Sequence, residues 1–205
     1  MKKVQYGCGF CAPDDWCNFD SSPTLRFERL PLIGRLHTKN DARFPANVRF
    51  GDVVRGLPVP DQSATYLYCS HVLEHLSLED MRLALENSYR VLRSGGVFRL
   101  VMPDLKVAAT RYLASDDARA AIAFHRETLL GMESRPRGVM GALKEWLGNS
   151  RHLWLWDYPA CVVELEKVGF RKCRRAYFGD SEHEVFAQVE AADRWRDALG
   201  IECVR

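Results

Sequence analysis

Short apolar runs separated by turn residues fill the first hundred positions of the chain. Val4-Gln5-Tyr6 leads into Gly7-Cys8-Gly9, and Trp16-Cys17-Asn18-Phe19 ends at Asp20. Asn47-Val48-Arg49-Phe50 runs into Gly51-Asp52, and Ala64 to Cys69 closes on Ser70-His71. Runs this short predict strands rather than helices. At Leu78 the period changes. Leu78, Met81, Leu85, Tyr89 and Leu92 recur at intervals of 3, 4, 4 and 3, which puts them on one helical face over 78–93. Ser77 and Asp80 make a capping pair at its start, and Gly95-Gly96 is expected to stop it. Val97 to Met102 predicts another strand, closed by Pro103-Asp104. Strand, loop, helix and strand in this order argue an α/β fold with a mostly parallel sheet and crossover helices.

The next stretch carries no strand pattern. Leu105, Ala108, Ala109 and Tyr112 suit a helix begun by Asp104; Ala118, Ile122, His125 and Leu129 suit a second; Val139, Leu143 and Trp146 suit a third, ended by Gly148. One crossover needs a single helix, so 105–150 is read as an inserted helical cap within one domain spanning 1–205. His125, on an apolar face, is expected to be a core histidine. After Asp157, an N-cap, Cys161, Leu165 and Val168 mark a helix that Gly169 ends. Strands are expected near 170–178 and 184–190, with a helical tail over 191–199.

Composition narrows the class. The chain has 205 residues, 47% apolar and 27% charged, which fits one globular domain. Its 29 Lys+Arg against 27 Asp+Glu give +2, so no cationic field recruits a nucleic-acid backbone. The longest apolar runs fall far short of the roughly 20 residues that span a bilayer, so no membrane is expected. Seven scattered cysteines and no apolar leader predict reduced thiols and a cytoplasmic location.

The chemistry sits at strand ends. Gly7, Gly9, Asp20, Asp52, Ser70, His71 and Asp104 all close apolar runs, and in an open parallel sheet such ends line one ligand-binding crevice. Glycine lets backbone approach a ligand closely. A carboxylate accepts two hydrogen bonds side by side, so Asp20 suits the paired hydroxyls of a ribose, and Asp52 suits an adenine amino group. No Gly-Lys-Ser/Thr follows the glycines, which removes a P-loop. Position 12 is Ala12 instead of a third glycine, and eleven residues separate Gly9 from Asp20, against roughly 20 in dinucleotide sites. A nicotinamide cofactor is therefore the poorer candidate.

The segments YGCG at 6–9, WCNFD ending at Asp20, GD at 51–52, SHVLEHL at 70–76 and RVLRSGGVFRLVMPD at 90–104 resemble class I S-adenosylmethionine (SAM)-dependent methyltransferases, in particular a small bacterial branch with a GCG loop. The resemblance is detailed over the first half and looser at 152–178. It implies a doubly wound, Rossmann-like sheet of seven strands, SAM as cofactor, and transfer of a methyl group to an oxygen or nitrogen of a small molecule. It also implies that Gly7, Cys8 and Gly9 approach the methionine end, that Asp20 takes the ribose, that Gly51 and Asp52 face the adenine, and that Ser70 and His71 border the sulfonium. Two departures stand out: Ser94 replaces a usual proline, and 10–19 leaves little room for the usual first helix.

An oxygen or nitrogen acceptor needs a base within hydrogen-bond reach. His71 and His152 are the candidates, with Asp104 and Tyr112 behind them. Trp146, Trp154, Trp156 and Tyr158 cluster around His152 as packing or as lining of an acceptor pocket. His71-Val72-Leu73-Glu74-His75 also fits the H-x-x-E-H spacing of zinc peptidases. Because this block follows a buried-strand run, no metal is expected and His75 is read as structural. Cys8, Cys11 and Cys17 lack a fourth partner at usable spacing and are read as small buried side chains. Three functions stay open: a methyltransferase, a SAM-binding module without catalysis, and a zinc hydrolase through His71 and His75.

Overall fold

The computed structural model describes residues 1–31, 42–134 and 151–205. Its centre is a seven-stranded sheet of β1 (Lys2–Tyr6), β2 (Cys17–Asp20), β3 (Val48–Phe50), β4 (Ala64–Ser70), β5 (Leu92–Pro103), β6 (Arg171–Ala176) and β7 (Ala198–Val204). The order is β3-β2-β1-β4-β5-β7-β6, with β7 alone antiparallel to its neighbours. The expected doubly wound α/β sheet is present. Parallel strands covered on both faces read as near-continuous apolar runs, and β4 does so from Ala64 to Ser70 with only Tyr66 half-buried.

On one face pack α2 (Leu78–Val91) and α5 (Tyr158–Val168). Ser77 accepts from the Asp80 amide at 3.1 Å and donates to its carboxylate at 2.9 Å, fixing the start of α2 as its spacing predicts. Met81 and Leu85 are fully buried, and Leu78 and Tyr89 pack against the same core. The helix ends before the glycines expected to stop it. Leu92 turns extended and pairs with Ala64, and Gly95 and Gly96 instead exchange backbone hydrogen bonds with Arg205. Asp157 caps α5 at the Ala160 amide, and Gly169, at φ +114°, closes it. Arg82 on α2 grips Glu164 on α5 through two hydrogen bonds of 2.8 and 3.1 Å.

The opposite face departs from the α/β pattern. No helix joins β1 to β2; residues 7–16 cross over as turns, in keeping with the little room foreseen there. That face is covered instead by the chain between β6 and β7. The run at 184–190, expected as a strand, is a 3₁₀ turn over Glu184–Gln188, and the expected helical tail is one further turn at Ala192–Trp195 before β7 begins. Phe186 and Val189 lie three apart, one 3₁₀ turn, and both pack on Trp16, Tyr68, Val97 and Val101 of the sheet face. Strand β7 was hidden by Gly200 and Glu202. A Cβ at Gly200 would lie 2.3 Å from the Trp195 ring and 2.5 Å from the Ala176 carbonyl oxygen. Glu202 accepts from Arg99 at 3.1 Å and Arg174 at 2.8 Å.

Between β5 and α5 lie α3 (Leu105–Leu113) and α4 (Ala120–Glu127). The third helix expected near 139–148 and Trp146 fall outside the described residues. Neither α3 nor α4 buries a residue, and His125 is exposed, against its expected place in the core. The two helices meet through Tyr112 and Phe124, with ring centroids 5.5 Å apart. All seven cysteines are free, with Cys8, Cys69, Cys161 and Cys203 buried. No helix among the described residues is long and apolar enough to cross a membrane.

Arg99 on β5 is fully buried and bonds Glu190, Glu202 and the Tyr177 carbonyl oxygen, with Asp180 3.0 Å away. Arg99→Met strands the buried Glu190 carboxylate. It is expected to cost about 3 kcal/mol in denaturant unfolding, the low end for a broken buried pair because Arg174 still serves Glu202 and Asp180.

Candidate active site

The ends of β1, β2, β3 and β4 form one continuous rim. Gly7, at φ +65°, follows β1 directly, and a Cβ there would sit 2.0 Å from Val72 Cγ2 in the loop after β4. Only glycine lets these two loops touch. Gly9, at φ +53°, opens the other way, with no atom within 4 Å of an added Cβ. Its amide donates to Asp20 Oδ2 at 3.0 Å, and Asp20 Oδ1 accepts from the Ser22 amide at 2.8 Å. The Asp20 carbonyl oxygen accepts from the Gly51 amide at 3.1 Å. Asp20 thus ties the turns after β1, β2 and β3 together. Its carboxylate is nearly buried, yet two hydrogen bonds leave about half of its lone-pair sites free for a ligand.

The other expected binding residues divide between those with open polar groups and those that serve the scaffold. Asp52 is half-buried, accepts from the Val54 amide at 2.9 Å and lies 3.5 Å from Arg55. A Cβ at Gly51 would strike the Phe19 ring at 2.7 Å, so its missing side chain serves core packing. The Cys8 side chain points into a small cluster with Leu25, Phe44 and Val48. Burial, with the Asp20 charge adding to it, pushes this thiol up to about 12, so it is no nucleophile. Ser70 is covered by Arg194, which donates to its hydroxyl and its carbonyl oxygen at 3.0 Å each. Arg194 carried no signal in the sequence, lying in the segment expected as a helical tail.

Two of the three expected catalytic residues come together. His71 Nδ1 lies 3.2 Å from Glu74 Oε1, and His152 Nε2 lies 3.9 Å from the same atom. His75 meets His152 edge-on, with ring centroids 4.9 Å apart. Glu74 is fully buried, and neither of its carboxylate oxygens has a hydrogen-bond partner among the described residues. Burial depresses the His152 pKa and the Glu74 charge only partly opposes it, so the ring is neutral near pH 7. His71 holds φ +53°, uncommon for a residue with a Cβ and the kind of local strain that gathers at functional sites. Its Nε2 bonds the Arg194 carbonyl oxygen at 2.8 Å. Both of its nitrogens therefore face other partners, which breaks the His71–His75 pair of the zinc-hydrolase reading. Glu74 went unclaimed in the sequence although the H-x-x-E-H spacing marks it.

Asp104 stands apart from this cluster. It caps α3 at the Lys106 amide, 2.8 Å away, and bonds Arg175. With Arg175 it borders a groove of about 460 Å³ along α3, whose other walls include Val107 and Thr110. Tyr112 is exposed and packs on Phe124.

A family model described as a methyltransferase domain matches residues 29–100, from the end of α1 (Pro23–Glu28) into β5. The chain superposes on a SAM-dependent methyltransferase from Archaeoglobus fulgidus with a TM-score of 0.53 at 14% identity, covering 100% of this chain and 86% of that one. The fold is that of the class I methyltransferases. A second such enzyme, from Mesorhizobium loti, gives a TM-score of 0.51 at 14% identity over 100% of this chain and 90% of its own. PigF, solved with SAH, gives 0.53 at 13% identity over 100% of this chain and 50% of its own. No curated protein sequence matches the chain. Within the methyltransferase fold, the matched stretch carries β3, β4 and the SHVLEHL turn, while the glycine loop and Asp20 lie outside it.

Gly7→Ala is expected to destabilise the fold by about 3 kcal/mol, part from the left-handed backbone and part from the contact with Val72. Adding Val72→Ala relieves the contact but not the backbone. The two substitutions should thus be non-additive by more than about 0.5 kcal/mol in a double-mutant cycle.

Proposed function

We propose that this chain is a SAM-dependent methyltransferase acting on an oxygen or nitrogen atom of a small molecule. The reading is carried by Asp20, a nearly buried carboxylate with acceptor capacity to spare, bound to the amide of Gly9 where the loop opens to free space. An adenosyl group fits such a place. Its ribose hydroxyls donate to Asp20, its adenine amino group donates to Asp52, and the backbone at Gly9 lets the methionine end approach. The same strand-end crevice is where open α/β sheets take ligands, and PigF, which shares the fold, is solved with SAH.

When bound, SAM supplies an electrophilic methyl carbon on a good leaving group. The protein's work is to hold the acceptor atom in line about 3–3.5 Å from that carbon. The cluster of His71, Glu74 and His152 provides the polar groups on the acceptor side, next to the β4 end. Asp104, engaged by Arg175 and the start of α3, is left out of that role. Near-neutral charge supports a small acceptor over a nucleic acid.

S-adenosylhomocysteine at about 100 times its dissociation constant is expected to stabilise the fold by roughly 2.7 kcal/mol, a Tm rise of about 5–10 °C. Asp20→Asn keeps one acceptor oxygen for the loop but removes the charge, and should weaken that affinity about 10- to 100-fold. An unchanged melting curve at saturating ligand would overturn the assignment. With labelled SAM and a panel of hydroxyl and amine acceptors, binding without any transfer would leave a non-catalytic SAM-binding module instead.

A further inference from the structure

Glu74, His75 and His152 each offer one ligating atom, and these atoms lie within 4.8 Å of one another. Their surroundings have the form of a ligand set. His75 donates through Nδ1 to the Arg151 carbonyl oxygen and His152 through Nδ1 to the Thr128 carbonyl oxygen, both at 2.8 Å. In the neutral ring this leaves Nε2 as the ligating atom, and metal-bound histidines are held in this way by backbone carbonyls. Between them lies a fully buried carboxylate that accepts no hydrogen bond among the described residues, a costly arrangement in a protein interior. His71 also borders the carboxylate. Its Nε2 donates to the Arg194 carbonyl oxygen, and its Nδ1 lies 3.2 Å from Glu74 Oε1.

The backbone holds the three groups in place independently of any ion. Glu74 and His75 are adjacent in the 3₁₀ turn Leu73–His75. The Glu74 carbonyl oxygen accepts from the Leu153 and Trp154 amides at 2.8 and 3.2 Å, which brings His152 alongside.

We propose that Glu74, His75 and His152 bind a divalent first-row transition-metal ion such as zinc. Two imidazoles and one carboxylate are a ligand set that this class of ion favours, and three protein ligands leave a coordination position for water or an acceptor hydroxyl. Closing the cluster to bonding distance asks the side chains to approach to about 3.3 Å of one another, the edge of a tetrahedron with bonds of 2.0–2.1 Å. The site replaces the sequence expectation of no metal and the His71–His75 pairing: His71 becomes the group that orients Glu74. The inference concerns the metal alone and stands whether or not the chain binds SAM.

The test uses untagged full-length protein stripped with a chelator and titrated with zinc against a chromogenic competitor. One equivalent is expected to bind, with affinity reduced at least about 100-fold by His152→Ala or Glu74→Gln and unchanged by Cys11→Ser. Cobalt(II) in place of zinc on the unsubstituted protein should show d–d absorption without a thiolate charge-transfer band. This readout does not depend on the variants folding. No stoichiometric zinc, a thiolate band, or full zinc affinity in a folded His152→Ala protein would each overturn the proposal. The S-adenosylhomocysteine melting experiment, run without metal, reports separately on the cofactor.

Discussion

Parallel hydrogen bonding among β3, β2, β1, β4 and β5 is the constraint on which the rest of this molecule depends. Strands that run the same way must release their chains on the same side. Gly7, Asp20, Gly51 and His71 therefore leave the sheet along one rim, though 64 positions separate the first from the last. Two close contacts join the rim: the side-chain-free surface of Gly7 against Val72, and Asp20 between the amides of Gly9 and Ser22. Neither tolerates a larger or uncharged substitute without cost, so loop packing and the proposed cofactor site rest on the same atoms.

The two faces of the sheet are built on different physics. Toward α2 and α5 the layer is apolar, from Val4 and Leu67 to Phe98 and Leu100. The other face carries a polar layer. Gln5 donates to Asn18 at 2.7 Å, and Arg99 lies wholly buried among carboxylates. A helix with an apolar stripe would leave those groups unpaired. The irregular chain between β6 and β7 suits them better, because it sets Phe186 and Val189 beside Glu190 and brings Arg194 to Ser70. The absence of a helix after β1 and the polar cover from the C-terminal segment are thus one arrangement. It also decides what stands next to the proposed cofactor site.

Glu74 is the point where the reading of function becomes specific. A buried carboxylate needs compensation, and its neighbours are three histidines, each bonded on its far side to a backbone carbonyl oxygen. Two of those histidines follow from one short motif after β4. The third arrives from residue 152, beyond α4, held by backbone hydrogen bonds to Glu74 itself. The proposed acceptor side of the crevice is therefore assembled by long-range contacts, whereas the proposed adenosyl side is assembled from turns close in sequence to their strands.

Hydrophobic periodicity was enough to locate β1 to β5, α2 and α5, because burial on two faces or along one stripe writes a period into the chain. The strand-end glycines and carboxylates were legible for the same reason: turn chemistry is local. Periodicity failed for β7, whose Gly200 and Glu202 answer to Trp195 and Arg99, and for 184–190, whose apolar residues serve a 3₁₀ turn laid on the sheet. It also misplaced His125 in a core and left Asp104 free when Arg175 holds it. The sequence alone determined the sheet class and the residues at its carboxyl rim, since those depend on neighbours a few positions away. Only the tertiary structure decided that Arg194 covers Ser70 and that His152 faces Glu74, because partners 124 and 78 positions apart leave no periodic trace in the chain.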